Sequence, residues 1–386
     1  MWRHIASNAL SLFVVGLFLL GGLILWGISR YEAEGPLARA ICLQVLPGST
    51  MTRVADDLVA EGAIDSRGIF RIAADYTERA SDLKAGSFLI PEQSSMAEIL
   101  DLVTASGQST CGTEVIYRVG VNRLSAQVRE LDPELNRFVE RAVFTPAEEA
   151  APEAYEGAKA DTDTRYRIAV AEGATSWQIV TSLRDIDVLS GAVSEIPPEG
   201  ALAPDSYEVR PGSSREELVA QMAAAQEARL ATAWQNRVDD LPYDTPAEAL
   251  IMASIIEKET SVAEERRQVA SVFVNRLNQG MRLQTDPTVI YGITRGEGVL
   301  GRGLRQSELR RATPWNTYVI EGLPPTPIAN PGLESIEAAL DPDDTPYIFF
   351  VADGTGGHAF AVTLAEHNEN VARWRAIEAE REAESE

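Results

Sequence analysis

The sequence predicts an α+β protein with an N-terminal transmembrane helix, small α+β modules, and then a mixed helix-plus-hairpin domain that carries the chemistry. Three observations predict it. Twenty residues without a charge run from Ala9 to Ile28. Two later stretches share the order strand, turn, helix, strand, helix. Beyond Pro246, helical periodicity gives way to a Pro-rich run and a short hairpin.

The charge balance removes whole classes of function. Among 386 residues, 34 Lys plus Arg stand against 58 Asp plus Glu, a net charge of −24. A nucleic-acid backbone needs a basic face, so no nucleic acid is expected as a partner. Attachment to anionic lipid through a polybasic patch is excluded for the same reason. Three His and two Cys leave little material for a metal cluster, and neither a metal nor a cofactor is expected.

Residues 9–30 form the expected anchor, with 1–8 as a cytoplasmic N-terminus. A helix rising ~1.5 Å per residue crosses ~30 Å of hydrocarbon in about twenty residues. A cleaved signal peptide is the alternative, but the run exceeds the ~7–15 residues of its apolar core and no A-x-A site follows immediately. Arg3 and Arg30 flank the span and oppose each other, so the positive-inside signal is weak. The short leading segment most easily stays in the cytoplasm, which places the body outside that membrane.

Next come the modules. Residues 40–111 form the first, and it contains CLQVLPGSTMTRVADDLVAEGAI and GSFLIPEQSSMAEILDLV. Residues 165–245 form the second, with YRIAVAEGATSWQIVTSLRDIDVL and DSYEVRPGSSREELVAQM. Each has an alternating strand and then an apolar stripe at helical spacing, Val54 and Leu58 in one, Ile179 and Leu183 in the other. A Ser ahead of an acidic residue marks a helix start in both. Cys42 and Cys111 border the first module. An oxidising compartment permits a disulfide between them, which in the chain-entropy model would stabilise by ~4 kcal/mol; two unlinked thiols are the alternative. Residues 112–164 are expected as a linker or insertion, since AEEAAPEAYEGAKADTDT is rich in Ala, Glu, Pro and Asp. An acidic tail, 379–386, ends the chain.

The candidate chemistry lies in 246–378. Helical patterns cover 246–259 and 264–279, and YIFFVAD with AFAVT makes a hairpin across the turn GTGG before a final helix from Leu364. On the first helix, at 100° per residue, Ile251, Met252, Ile255 and Ile256 centre at about 70°. Glu259 falls at about 80°, inside that stripe, and Glu257 at about 240°. Glu259 is therefore expected to point into the fold, and Glu257 toward solvent or toward Arg266 or Arg267. A carboxyl on an apolar wall holds its proton more tightly, the condition a general acid needs near neutral pH. The bland alternative is a buried ion pair of Glu259 with Arg276 or Arg282.

Downstream, MRLQTDPTVIYG offers Gln284, Thr285, Asp286 and Tyr291, and TPWNTYVIEGLPPTPIANPG offers Trp315, Asn316 and Tyr318. Aromatic and amide side chains on ordered irregular segments suit a sugar groove, and loop packing is the competing explanation for each. Of these, Gln284, Thr285, Tyr291, Asn316 and Tyr318 are the candidate substrate contacts. His358 and His367 lack an HExxH or CxxC context, GTGGH is a hairpin turn rather than a dinucleotide loop, and Ser254 sits mid-helix without a nucleophile elbow.

IMASIIEKET, VFVNRL, GMRLQTDPTVIYG, NTY, GLPPTPIANPG and FVADGTGGHAF together resemble the endolytic murein transglycosylase family (MltG, YceG-like) over about residues 246–375. The anchor and modules fit that family's layout, in which a LysM-like module precedes the catalytic domain. The resemblance implies a lytic transglycosylase of peptidoglycan glycan strands, with Glu259 as the single general acid and base. It implies cleavage of the β-1,4 bond between N-acetylmuramic acid and N-acetylglucosamine, leaving a 1,6-anhydro end. It also implies a link to peptidoglycan synthases and a single-pass place in the cell inner membrane with the catalytic domain periplasmic. A peptidoglycan-binding scaffold and a muramidase-type hydrolase are the alternatives. A hydrolase would need a second carboxyl, and Glu257 lies about 160° from Glu259 on the wheel.

Overall fold

Helix α1 (Trp2–Glu32) opens the structure, a computed structural model that describes residues 2–105 and 110–385. Met1 of the expected N-terminus, 106–109 in the expected first module and Glu386 of the expected tail lie outside the described residues. Within α1, Leu12–Glu32 is the one stretch among the described residues long and apolar enough to cross a membrane. Its Leu, Phe, Ile and Val side chains are exposed rather than packed on protein.

The chain divides into two units, the first of which comprises Met1–Val115, Val128–Val143 and Pro152–Arg165. Here β1 (Ile41–Val45) leads to α2 (Met51–Ala60) and α3 (Arg67–Tyr76), then β2 (Gly86–Ile90) and α4 (Met96–Thr104). β1 and β2 pair antiparallel with Ile41 opposite Ile90 and Val45 opposite Gly86. Each helix begins on a hydroxyl that accepts a first-turn N–H: Thr50 from Arg53, Ser66 from Ile69, and Ser95 from Glu98 in a full capping box. Such caps contribute ~1 kcal/mol each. Leu43, Val45, Leu58, Phe70, Ile90 and Ile99 are among the side chains of one buried cluster, each contributing ~1.5–3 kcal/mol. Cys42 and Cys111 are joined as a disulfide, 69 residues apart in sequence with Cα atoms 5.7 Å apart.

The stretch 112–164, expected as a linker or insertion, carries regular structure. It forms β3 (Thr113–Val119), β4 (Leu124–Asp132), β5 (Arg137–Phe144) and α5 (Glu153–Ala160). In β4, Leu124, Ala126, Val128 and Leu131 are buried while intervening residues are less so, and Tyr155 and Ala158 are buried on α5. Composition averaged over the stretch hides this alternation, which is what makes a strand.

The second unit comprises Ile116–Gln127, Phe144–Ala151 and Tyr166–Glu386. β6 (Arg165–Val170), α6 (Ser176–Arg184), β7 (Ser206–Val209) and α7 (Arg215–Gln235) repeat the strand–helix–strand–helix order, and β6 pairs antiparallel with β7. In this unit β3, β6 and β7 are neighbouring strands of one sheet, in that order.

Helix α8 (Pro246–Glu259) starts on a Thr245–Glu248 capping box with Pro246 in its first turn. It packs against α9 (Arg266–Asn278) and α12 (Leu333–Leu340), with α10 (Asp286–Thr294) and the short α11 (Gln306–Leu309) between α9 and α12 in sequence. Met252, Ile255, Ile256, Val269, Phe273 and Ile336 belong to the core that results. β8 (Phe349–Ala352) and β9 (His358–Ala361) form an antiparallel hairpin, and α13 (Leu364–Ser385) runs on through the stretch expected as a tail. Ser254 is fully buried, donating to the carbonyl of Ile251 and accepting from Ile328 N–H, a packing role with no nucleophile geometry.

Candidate active site

Glu259 is the last residue of α8, and helix phase turns it toward the core while the end of the helix lets its carboxyl reach a cleft. That cleft holds about 560 Å³ and is walled by Arg276 of α9, Leu283 and Gln284 before α10, Asp286 at its start, Tyr318, and Phe349 and Phe350 of β8. Glu259 also lines a second hollow of about 240 Å³ with Thr260, Ser261, His358 and Trp374. Burial pushes its pKa up to about 7; Asp286 adds to the rise, while the Thr285 hydroxyl and Arg276 pull it back.

Thr285 is the N-cap residue of α10 but makes no side-chain cap bond. Its backbone N–H donates to Thr317 Oγ1 at 3.0 Å, within a buried group that includes Thr288, and its own Oγ1 has no hydrogen-bond partner of ordinary geometry among the described residues. That leaves the hydroxyl for the Glu259 carboxyl, whose pKa it lowers. Gln284 precedes it at φ 52°, a left-handed conformation that costs a non-glycine residue of order 1 kcal/mol, and its N–H is held by the Thr317 carbonyl at 3.2 Å. The Tyr318 hydroxyl donates to Asp286 at 2.7 Å, and both line the larger cleft.

The structure thus brings Glu259, Gln284, Thr285 and Tyr318 together. It does not bring Asn316 or Tyr291. Asn316 is fully buried, its amide donating to the carbonyls of Glu308, Leu309 and Arg311 while its oxygen accepts from Tyr318 N–H. Tyr291 packs on Trp315 with ring centres 5.8 Å apart and lines a separate hollow with Lys258 and Thr294. Both sit in the motifs that suggested them, but α10 and the 308–318 turn aim them elsewhere.

Glu257 lies away from the cleft, as the wheel requires, yet its partner is the N–H of Gly332 at 3.0 Å. Arg266 pairs instead with Glu334 and Glu172, and Arg267 with Asp341 and Asp343. Glu259 makes no ion pair with Arg276 or Arg282. The aromatic residues Phe349 and Phe350 line the cleft, although YIFFVAD, a continuous apolar run, marks a strand without marking which of its side chains reach the site. Asp286 was noted in its motif without being assigned to the cleft, which it lines.

A protein-family model described as the YceG-like family matches residues 43–373. An endolytic murein transglycosylase of Bacillus subtilis (strain 168) is 29% identical over 91% of this chain and 89% of its own length. An endolytic murein transglycosylase of Streptococcus pneumoniae is 28% identical over 84% of this chain, which spans 56% of that longer protein. The crystal structure of a yceG-like protein from Listeria monocytogenes aligns with a TM-score of 0.47 and 23% identity, over 86% of this chain and 98% of that one. With a match that runs through both units and takes in the whole Glu259 cleft, the chain belongs to the YceG-like family.

Proposed function

We propose that this chain is an endolytic lytic transglycosylase of peptidoglycan. One observation carries the proposal: Glu259 is a carboxyl with no ion-pair partner among the described residues, set by burial to hold its proton more tightly, at the wall of a cleft of about 560 Å³. The names of the two bacterial relatives support the substrate class.

In this mechanism Glu259 donates its proton to the glycosidic oxygen as the bond from muramyl C1 breaks, and N-acetylglucosamine leaves with a free 4-hydroxyl. The muramyl 6-hydroxyl then attacks C1, and its proton returns to the Glu259 carboxylate. The product is a 1,6-anhydro ring, no water is consumed, and the acid is regenerated. A pKa near the working pH lets one group serve both steps. Gln284 and Tyr318 are the proposed substrate contacts, with Phe349 and Phe350 as an apolar wall for sugar faces, while the buried Thr285 acts through the Glu259 carboxyl. Asn316 and Tyr291 act indirectly, by holding the segments that carry Tyr318 and α10.

We read α1 as a single-pass anchor in the inner membrane with the body periplasmic, supported by its exposed apolar surface and by the Cys42–Cys111 disulfide. The β1–β2 pair and the helices between them are the LysM-like candidate, a glycan-binding module ahead of the catalytic domain.

A muramidase-type hydrolase has one observation in its favour, a second carboxyl, Asp286, in the same cleft. Against it, Asp286 is engaged by the Tyr318 hydroxyl. Mass spectrometry of products from sacculi decides between them. Anhydro-muramyl ends support the transglycosylase; reducing ends, heavier by one water, overturn it. Sacculus binding with neither product would leave the scaffold.

A further inference from the structure

We propose that Glu265 and His358 form a substrate-binding pair beside Glu259, in which Glu265 fixes the imidazole so that its Nε2 accepts a hydrogen bond from a hydroxyl or amide N–H of the bound sugar. The sugar class rests on the transglycosylase reading; the pair rests on geometry. His358 opens β9 and lines both hollows that Glu259 lines. Glu265 ends the short 3-10 turn Ala263–Glu265 that follows α8. The two residues are 93 positions apart in sequence, and both carboxylate oxygens go to the one histidine. Oε1 accepts the His358 backbone N–H at 2.9 Å, and Oε2 lies 2.8 Å from Nδ1.

A carboxylate on Nδ1 selects the tautomer with its proton there, which leaves a lone pair on Nε2. Nε2 has no hydrogen-bond partner among the described residues, although the His358 side chain is only 16% exposed. The ring cannot easily turn away, because Phe350 and Phe360 meet it edge-on at 5.2 and 6.4 Å between centres. A clamp that served only to close the hairpin would need the backbone contact alone. Here the ring itself is oriented, and the residue lines the cleft.

Gly357 supplies independent support. A Cβ there would stand 2.5 Å from Glu265 Oε1, so any side chain would displace the carboxylate. Its backbone is outside the left-handed region that Gly354 and Gly356 occupy at φ 89° and 102°. The first two glycines of the GTGGH turn therefore serve its conformation. The third makes room for the Glu265–His358 pair.

The test uses the full chain in detergent, with sacculi for cleavage and isolated uncross-linked glycan strands for binding. In an E259Q background, adding H358A is expected to weaken strand binding about tenfold, the size of one hydrogen bond to substrate. In the otherwise unaltered enzyme, H358A and E265Q are expected to raise KM about tenfold with a smaller fall in kcat, and H358Q, which keeps an acceptor, to recover part of the loss. G357A changes neither partner's identity and strains no backbone angle, but its Cβ displaces the Glu265 carboxylate, so it is expected to reproduce E265Q. Thermal unfolding identifies variants that fail to fold; if H358A is one, H358Q and G357A carry the test. Strand binding and KM unchanged in folded H358A, or in folded H358Q and G357A, overturn the pair. If the unaltered enzyme releases no anhydro product, the transglycosylase reading falls, and the E259Q binding comparison still decides the pair.

Discussion

Glu259 and Arg276 line one cleft without forming an ion pair. Arg276 is buried, and it gives Nε to the Ile348 carbonyl at 2.7 Å and Nη1 to the Leu283 carbonyl at 2.6 Å, with its guanidinium 5.4 Å from the centre of the Phe349 ring. Backbone acceptors therefore hold the cation in place. Its field lowers the Glu259 pKa without cancelling the effect of burial. An acid kept from its nearest cation retains a proton to donate.

Replacing that acid by its amide keeps the shape and removes the proton. Glu259→Gln is expected to cut release of anhydro-muropeptides from sacculi by about 10²–10⁴-fold. Release at the unaltered rate would remove Glu259 from the chemistry.

The raised pKa also fixes a sign for pH dependence. A general acid works while protonated, so kcat/KM is expected to fall as pH rises through about 7. Stability follows the same group. Because the folded pKa lies above the unfolded value, the contribution is fully present below about 4.5 and is lost as pH rises through about 7. Glu259→Gln should therefore raise Tm relative to the unaltered chain more at pH 9 than at pH 5, by an amount equivalent to about 1–3 kcal/mol for a partly exposed group. A Tm difference independent of pH would contradict this.

Asn316 is expected to matter for folding before it matters for sugar. Asn316→Ala leaves three carbonyls and the Tyr318 N–H without their partner, at a cost of about 2–4 kcal/mol. Urea unfolding measures it. A loss below about 0.5 kcal/mol, the range of an ordinary surface change, would show that the 308–318 turn does not depend on this amide.

The disulfide gives a prediction confined to the first unit. In the chain-entropy model, a bond between residues 69 apart stabilises by ~4 kcal/mol, so Cys42→Ser with Cys111→Ser should lower that unit's unfolding midpoint, and reductant should do the same to the unaltered chain. Alkylation of two free thiols without reductant would rule the bond out.

Much of the secondary structure was legible because its signals are local. Thr245, Pro246 and Glu248 mark the start of α8, and the helix forms over Pro246–Glu259, the span its periodicity predicts. Residues 112–164 were not legible from composition, since β4 alternates buried and less buried residues beneath a charged average. Of the candidate site, Glu259, Gln284, Thr285 and Tyr318 converge, whereas Asn316 turns inward. An amide makes the same bonds to a sugar as to a backbone, so its residue type does not say which it faces.

Helix phase needs only the chain's own geometry, and from it the sequence by itself put Glu259 on the inner face of α8 and Glu257 on the outer. The anchor-length apolar run and the helix caps are local in the same sense. Only the tertiary structure decided that Glu259 would meet Thr285 and Asp286 without an ion pair among the described residues. It alone joined Glu265 to His358, and it aimed Arg276 at backbone carbonyls. These outcomes depend on desolvation and on charges brought from separate segments, and such energies exist only once the segments are packed.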